Sequence, residues 1–218
     1  DRGYERLQMQ LPFESPGYAP EDLKYRKADA ALLNLIYPCK LSRLTLEQKK
    51  SVLTEVSSLV REMGVIRYQG DAYQSGNYWK QDSEATASID ARTDDHSGEA
   101  AFSSRAQRLI PQTEAQWFFD SWISQCYGIL YLQTGEQSDL ERQIAHFNRA
   151  LCQITGNGEI GADGNRVQDF SLPESYNLLV EGGARHFAPS PITPLNWSKA
   201  CLALAIKALR LSIQAKNN

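Results

Sequence analysis

The sequence has little of what most readily betrays a function. Its 23 basic and 26 acidic side chains nearly cancel, which leaves no electrostatic footprint for nucleic acid and no Lys/Arg cluster suited to an anionic membrane. No apolar run approaches the roughly 20 residues needed to span a bilayer. No signal-peptide pattern opens the chain. It begins with Asp1 rather than Met, which points to a processed chain or one piece of a longer protein. Cysteine is sparse: Cys39, Cys126, Cys152 and Cys201 form no Cys-x-x-Cys pair. Three of them lie in apolar helical patterns, where a thiol acts as a small core residue, so they read as reduced and the setting as cytoplasmic. A P-loop, a dinucleotide fingerprint and a Ser/His/Asp motif are all missing in suitable context. No cofactor or metal is expected.

What is present is helical periodicity, in about five segments of two kinds. Ala28–Tyr37 is apolar nearly all round and stops at Pro38. Thr45–Met63 is amphipathic, opened by a Thr45/Gln48 capping box and closed by Gly64 as a left-handed stop. A third helix over about 113–133 starts on a Thr113/Gln116 box and is apolar on nearly every face. A fourth begins at Ser138 with Glu141 and stripes Leu140, Ile144, Phe147, Leu151 and Ile154 along one side; His146, beside that stripe, reads as structural. The last, about 194–213, follows Thr193-Pro194 and is rich in Ala and Leu all round. Enclosed and one-sided helices therefore alternate, as in hairpins whose first helix lines an inner ring and whose second covers it. An ordinary four-helix bundle would give every helix a single stripe. An irregular helical domain is the plainer alternative.

The loops sharpen this expectation. Inner-to-outer connections are short (38–44, 134–137); outer-to-inner connections are long (64–112, 156–192) and would emerge, with 1–26, on one rim. Long loops in a compact domain tend to carry function, so the site is expected on that rim. Residues 80–112, polar and aromatic-poor, read as a mobile insertion, with Asp94, Asp95, His96 and Glu99 as solvated loop rather than metal ligands. Asn157–Asp169 carries Asp-Gly turn signals and reads as a small hairpin, with Asp163-Gly164-Asn165 its turn. The whole of 1–218 reads as a single domain.

Gly64–Trp79 (GVIRYQGDAYQSGNYW) combines one Arg, one Asp, three Tyr and a Trp on a Gly-rich loop. Aromatic faces with a few directed polar groups suit a sugar, Arg67 donating to and Asp71 accepting from adjacent hydroxyls; a surface loop with an ordinary ion pair is the bland reading. Arg-Tyr-x-x-Asp-x-Tyr followed by Gly-Asn and Trp resembles a substrate loop of glucoamylases, glycoside hydrolase family 15. Leu172-Pro173-Glu174-Ser175-Tyr176, followed by Thr193-Pro194-Leu195-Asn196-Trp197-Ser198, is similar to the base motif of that family and to the Leu-Pro-Glu-x-Tyr of the phosphorylase kinase α/β subunits. Ala28–Leu33 resembles an inner-helix motif shared by both groups, Glu114–Trp122 resembles the kinase subunits' corresponding inner helix more closely, and the matches span roughly 27–210 in consistent order.

The resemblance implies an all-α fold, the C-terminal half of an (α/α) toroid of the six-hairpin barrel type. It implies Glu174 as catalytic general base, with Arg67, Asp71, Tyr73, Asn77, Trp79, Tyr176 and Trp197 binding an α-glucan or oligosaccharide. Inverting hydrolysis of an α-glucosidic bond needs a second carboxyl group as acid, roughly 6.5–9.5 Å from the base. That acid would lie on an N-terminal half of the same toroid, supplied covalently or as a separate chain; Glu114, the nearest substitute, reads better as first-turn dipole complementarity. Two other expectations stand beside the hydrolase: a non-catalytic glucan-binding regulatory module resembling the kinase subunits, and a toroid acting on a different polysaccharide. His186, within Gly182–Pro189, is a further candidate ligand contact.

Overall fold

A computed structural model describes residues 2–14, 17, 22, 25–71, 73, 112–181 and 183–217. The chain forms two compact units: Asp1–Val60 with Phe119–Cys152 and Lys199–Asn218, and Arg61–Phe118 with Gln153–Ser198.

The first unit is helical. α1 (Arg2–Gln10) buries no side chain. A 3-10 turn, Ala30–Leu32, is capped by the Asp29 carboxylate and runs into the short α2 (Leu33–Ile36). α3 (Leu46–Ser57) opens on the expected capping box, Thr45 and Gln48 each bonding the other's backbone N–H. α4 (Asp120–Thr134) is buried on nearly every face and ends where Gly135, at φ 73°, turns left-handed and donates to the Tyr131 carbonyl. α5 (Gln137–Cys152) packs against it, with Gly128 leaving room for the Gln143 amide and Ser124 Oγ donating to the Gln143 carbonyl at 2.9 Å. The last helix is α6 (Asn196–Asn217). Leu33, Ile36, Val52, Val56, Ile123, Leu130 and Leu140 are almost fully buried, each stabilising the fold by about 1.5–3 kcal/mol. Cys126 sits among them, and burial pushes its thiol well above the usual range, so it stays a neutral core group.

The second unit holds a three-stranded antiparallel sheet in the order β1 (Gln116–Trp117), β2 (Ser175–Glu181), β3 (Ala184–Pro189). β2 and β3 form a hairpin from Tyr176 opposite Pro189 to Glu181 opposite Ala184. A single bridge, Val65 to Trp117, extends the sheet beyond β1. Ala162, Leu179 and Ala188 make a small apolar core, and the Ala162 N–H donates to the Pro189 carbonyl. The expected turn in 157–169 forms: Ile160 bridges Arg166 and Asn165 N–H donates to Asp163 Oδ1.

This architecture overturns the all-α toroid. Among the described residues there are six α-helices and an open antiparallel sheet, a small mixed α/β fold with no ring of helical hairpins. The segment expected as a rim loop, 156–192, supplies two strands. The helix expected from 113 starts only at Asp120, because Gln116–Trp117 pairs as β1 and 113–115 belongs to no helix. In α6, Leu204, Ile206, Leu211 and Ile213 are exposed, so the all-round apolar helix is not enclosed within this chain. Of the expected insertion, 80–112, all but Gln112 lies outside the described residues.

Candidate functional site

The second unit gathers aromatic and charged groups around Arg67. Its guanidinium grips Asp71 with two parallel bonds, Nε to Oδ2 at 2.6 Å and Nη2 to Oδ1 at 2.8 Å. Asp71 is 1% exposed and also accepts from Tyr73 N–H at 3.1 Å, an Asx-type turn that shapes the loop. At Gly70, φ is 81°, which only glycine adopts cheaply, and its N–H donates to the buried Glu114 carboxylate at 2.9 Å. Glu114 thus serves the loop rather than a helix dipole. The guanidinium lies over three rings, with its central carbon 4.6 Å from the Tyr73 centroid, 4.9 Å from Trp117 and 5.8 Å from Tyr68. Burial works against its charge, but the Asp71 bonds and charge, with the Tyr68 and Tyr73 phenols, more than offset this and hold its pKa above the usual arginine range.

Glu174 stands just before β2, held by its neighbours' backbone. Its N–H donates to the Ile192 carbonyl, Leu195 N–H to the Leu172 carbonyl, and Ser198 Oγ to the Pro173 carbonyl at 2.8 Å. The carboxyl Oε2 is buried with no hydrogen-bond partner among the described residues. Burial pushes its pKa up to about 7, and the nearby Arg67 charge pulls the other way without winning. The structure therefore brings Glu174 within electrostatic reach of Arg67, the residue that grips Asp71 and lies over Tyr73.

Tyr176 and Trp197 have neighbours of their own. Tyr176 pairs with Gln116 while Ser175 pairs with Trp117; alternate residues of a strand point to opposite faces, so Tyr176 leaves the face that carries Trp117. Its hydroxyl bonds Glu159. Trp197 is half exposed and packs edge-on against Phe118, centroids 5.0 Å apart. Asn77 and Trp79 lie outside the described residues, as do Asp94, Asp95, His96 and Glu99. His186 is exposed on β3. Trp117 is the contact that sequence reasoning missed: inside EAQWFFDSW it reads as helix core, whereas it is a strand residue forming the floor under Arg67. Among the described residues no group of three His, Cys, Asp or Glu side chains could hold a metal ion, and no helix is long and apolar enough to cross a membrane.

Comparison with known proteins removes the family assignment. No family model matches the chain, and no solved structure matches it. It is 54% identical over 54 residues to the "Putative protein YgeP" of Escherichia coli (strain K12), an alignment covering 24% of this chain. The chain spans about half the length of that relative, 54%. The glycoside hydrolase family 15 and kinase-subunit resemblance thus rests on short motifs set in a different fold. The inverting mechanism fails with it. Among the described residues no paired acid faces Glu174: Asp71, the other carboxylate beside Arg67, has both oxygens tied to the guanidinium. The expected glycosidase activity, and the enzyme assignment that depended on it, are withdrawn.

The Glu174 environment has a measurable cost. An acid whose folded pKa exceeds its unfolded value keeps a proton that the unfolded chain has shed. Between about 4.5 and 7, stability therefore falls as pH rises and then levels off. From pH 5 to pH 8 the loss is expected to be roughly 2 kcal/mol. Glu174→Gln should flatten that part of the urea-unfolding profile and be the more stable protein at pH 8. Parallel profiles for the two proteins would show that Glu174 is not desolvated.

Proposed function

We propose that this chain is a ligand-binding protein whose second unit takes a small neutral, hydroxyl-bearing molecule beside Arg67 and Glu174. The α-glucan or oligosaccharide partner expected from the sequence belongs to this class. The observation that carries the reading is the buried Glu174 Oε2, left without a partner within the field of a guanidinium. Such a group costs about 1–3 kcal/mol and returns nothing to the fold; a ligand hydroxyl would satisfy it. Supporting it, Arg67 spends Nε and Nη2 on Asp71, which leaves its Nη1 N–H groups as donors beside the aromatic faces of Tyr73 and Trp117. Asp71 already neutralises the Arg67 guanidinium and Glu174 adds a second carboxyl group within its field, so an anionic ligand is opposed and a neutral one preferred.

Titration calorimetry with maltotriose and myo-inositol, and with glucose 6-phosphate as the charged control, tests this. A neutral probe is expected to bind, and Arg67→Ala to weaken it by at least 30-fold, about 2 kcal/mol. If neither neutral probe binds, or if Arg67→Ala binds as the parent does, the reading is wrong.

A further inference from the structure

Asn177 occupies an unusual place for an asparagine. It sits in the middle of β2, 0% exposed, opposite Ala188, where a strand interior favours branched or aromatic side chains. Ser175, one pleat away on the same face, donates its hydroxyl to Asn177 Oδ1 at 3.2 Å. That bond orients the amide, and Nδ2 is left buried with no hydrogen-bond partner among the described residues. Ser175 is itself cross-strand from Trp117 and follows Glu174 in the chain, so the amide shares a sheet face with the ring beneath Arg67.

Other buried polar groups lead nowhere comparable. The Gln143 amide has no hydrogen-bond partner at either end among the described residues, but it is wedged against Gly128 between α4 and α5. Asp120, His146 and Arg149 satisfy one another.

We propose that Asn177 is a specificity-determining residue of the Arg67–Glu174 site, its Nδ2 donating to a hydroxyl or ring oxygen of the bound molecule, with Ser175 as the positioning residue. This rests on the binding function proposed above. The chemistry is complementary: Glu174 offers an acceptor, Arg67 and Asn177 offer donors, so the site reads a ligand that presents an O–H and lone-pair oxygens together. A polyol does this; a hydrocarbon or an isolated amine does not.

Asn177→Leu keeps the volume and removes the unpaired amide. Made together with Ser175→Ala, so that the buried Ser175 hydroxyl does not lose its acceptor, it should cost a residue serving only the fold nothing, since replacing both partners of a buried hydrogen bond with apolar groups is neutral or stabilising. The expected result is an unchanged or raised melting temperature together with at least a tenfold loss of affinity for maltotriose or myo-inositol by calorimetry. Should the leucine variant fail to fold, Asn177→Asp keeps the shape without the N–H groups, and the same tenfold loss is expected. In the parent protein, the Asn177 side-chain amide resonances should shift on saturation with the probe. Unchanged affinity in the folded variant, or unmoved amide resonances at saturation, would mean that the amide meets internal water only and would overturn the assignment while leaving the binding function standing. If the parent binds neither probe, the binding function falls first and this inference with it.

Discussion

Asp120→Ala is expected to destabilise the protein by about 4 kcal/mol, read as a lower urea midpoint with an unchanged slope. Asp120 is 0% exposed at the first turn of α4. Its Oδ1 accepts from Arg149 Nε at 2.8 Å and lies 2.7 Å from His146 Nδ1, while Oδ2 accepts from Arg149 Nη2 at 3.2 Å. Both partners belong to α5, so the carboxylate ties the two most extensively packed helices of the first unit together. Removing it takes the carboxylate's bonds from a guanidinium whose side chain is only 31% exposed, and breaking an ion pair at one partner in a partly dry site costs more than the pair contributed. His146 loses its partner too, keeping only its stacking on Tyr127 at 5.9 Å. Asp120→Asn retains the shape and one acceptor, and should cost about half as much. A midpoint unmoved in the alanine variant would show that the network carries no net stability.

The helices of that first unit were legible because their signals are local. The Thr45/Gln48 box needs only four residues of sequence, and it forms. The unbroken apolar character of WFFDSWISQCYGILYL needs no partner to be recognised, and α4 is buried nearly all round. The stripe on α5 was legible only in part: Leu140 is buried, yet Ile144 and Leu151 are more than a third exposed.

The second unit was misread because its structure is non-local. Thr113 and Gln116 match a capping box, but Gln116 sits in β1, opposite Tyr176, and its Oε1 accepts from Met63 N–H at 2.7 Å. That competition is decided by tertiary pairing, which a window of sequence does not contain. The β2–β3 hairpin did carry a signal: Gly182-Gly183 separates SYNLLVE from ARHFAP, and a paired glycine between two short apolar-bearing runs is a turn. The resemblance to a helical family took precedence over it. Of the site, the polar pair Arg67 and Asp71 was legible from the loop's composition, and Glu174 from its motif. Trp117 and Asn177 were not, since each joins the site only through strand register.

Gly64 shows the same tension between local and tertiary roles. In sequence it looks like the left-handed stop of a helix reaching Met63. In the structure α3 ends at Ser57, and Gly64 is not among the residues with positive φ. It is glycine because of close approach: a Cβ there would lie 2.5 Å from the Trp117 carbonyl oxygen, 2.9 Å from Gln153 Nε2 and 3.0 Å from the Gln116 carbonyl carbon. Two of those three atoms are backbone and cannot swing aside. The adjacent residue, Val65, exchanges both hydrogen bonds with Trp117, at 3.1 and 2.8 Å, and this bridge sets Arg67, two residues on, above the indole. Gly64→Val should therefore cost more than about 3 kcal/mol, as overpacking against rigid backbone does. Because Arg67 depends on that bridge, whatever folded protein remains should also lose most of its affinity for the neutral probe. Urea unfolding and calorimetry on the same sample check the two effects together. A valine variant that folds with near-parental stability would show that β1 and the Val65 segment do not approach this closely. One that folds less stably yet binds normally would show that the position of Arg67 is set by the Asp71 loop alone.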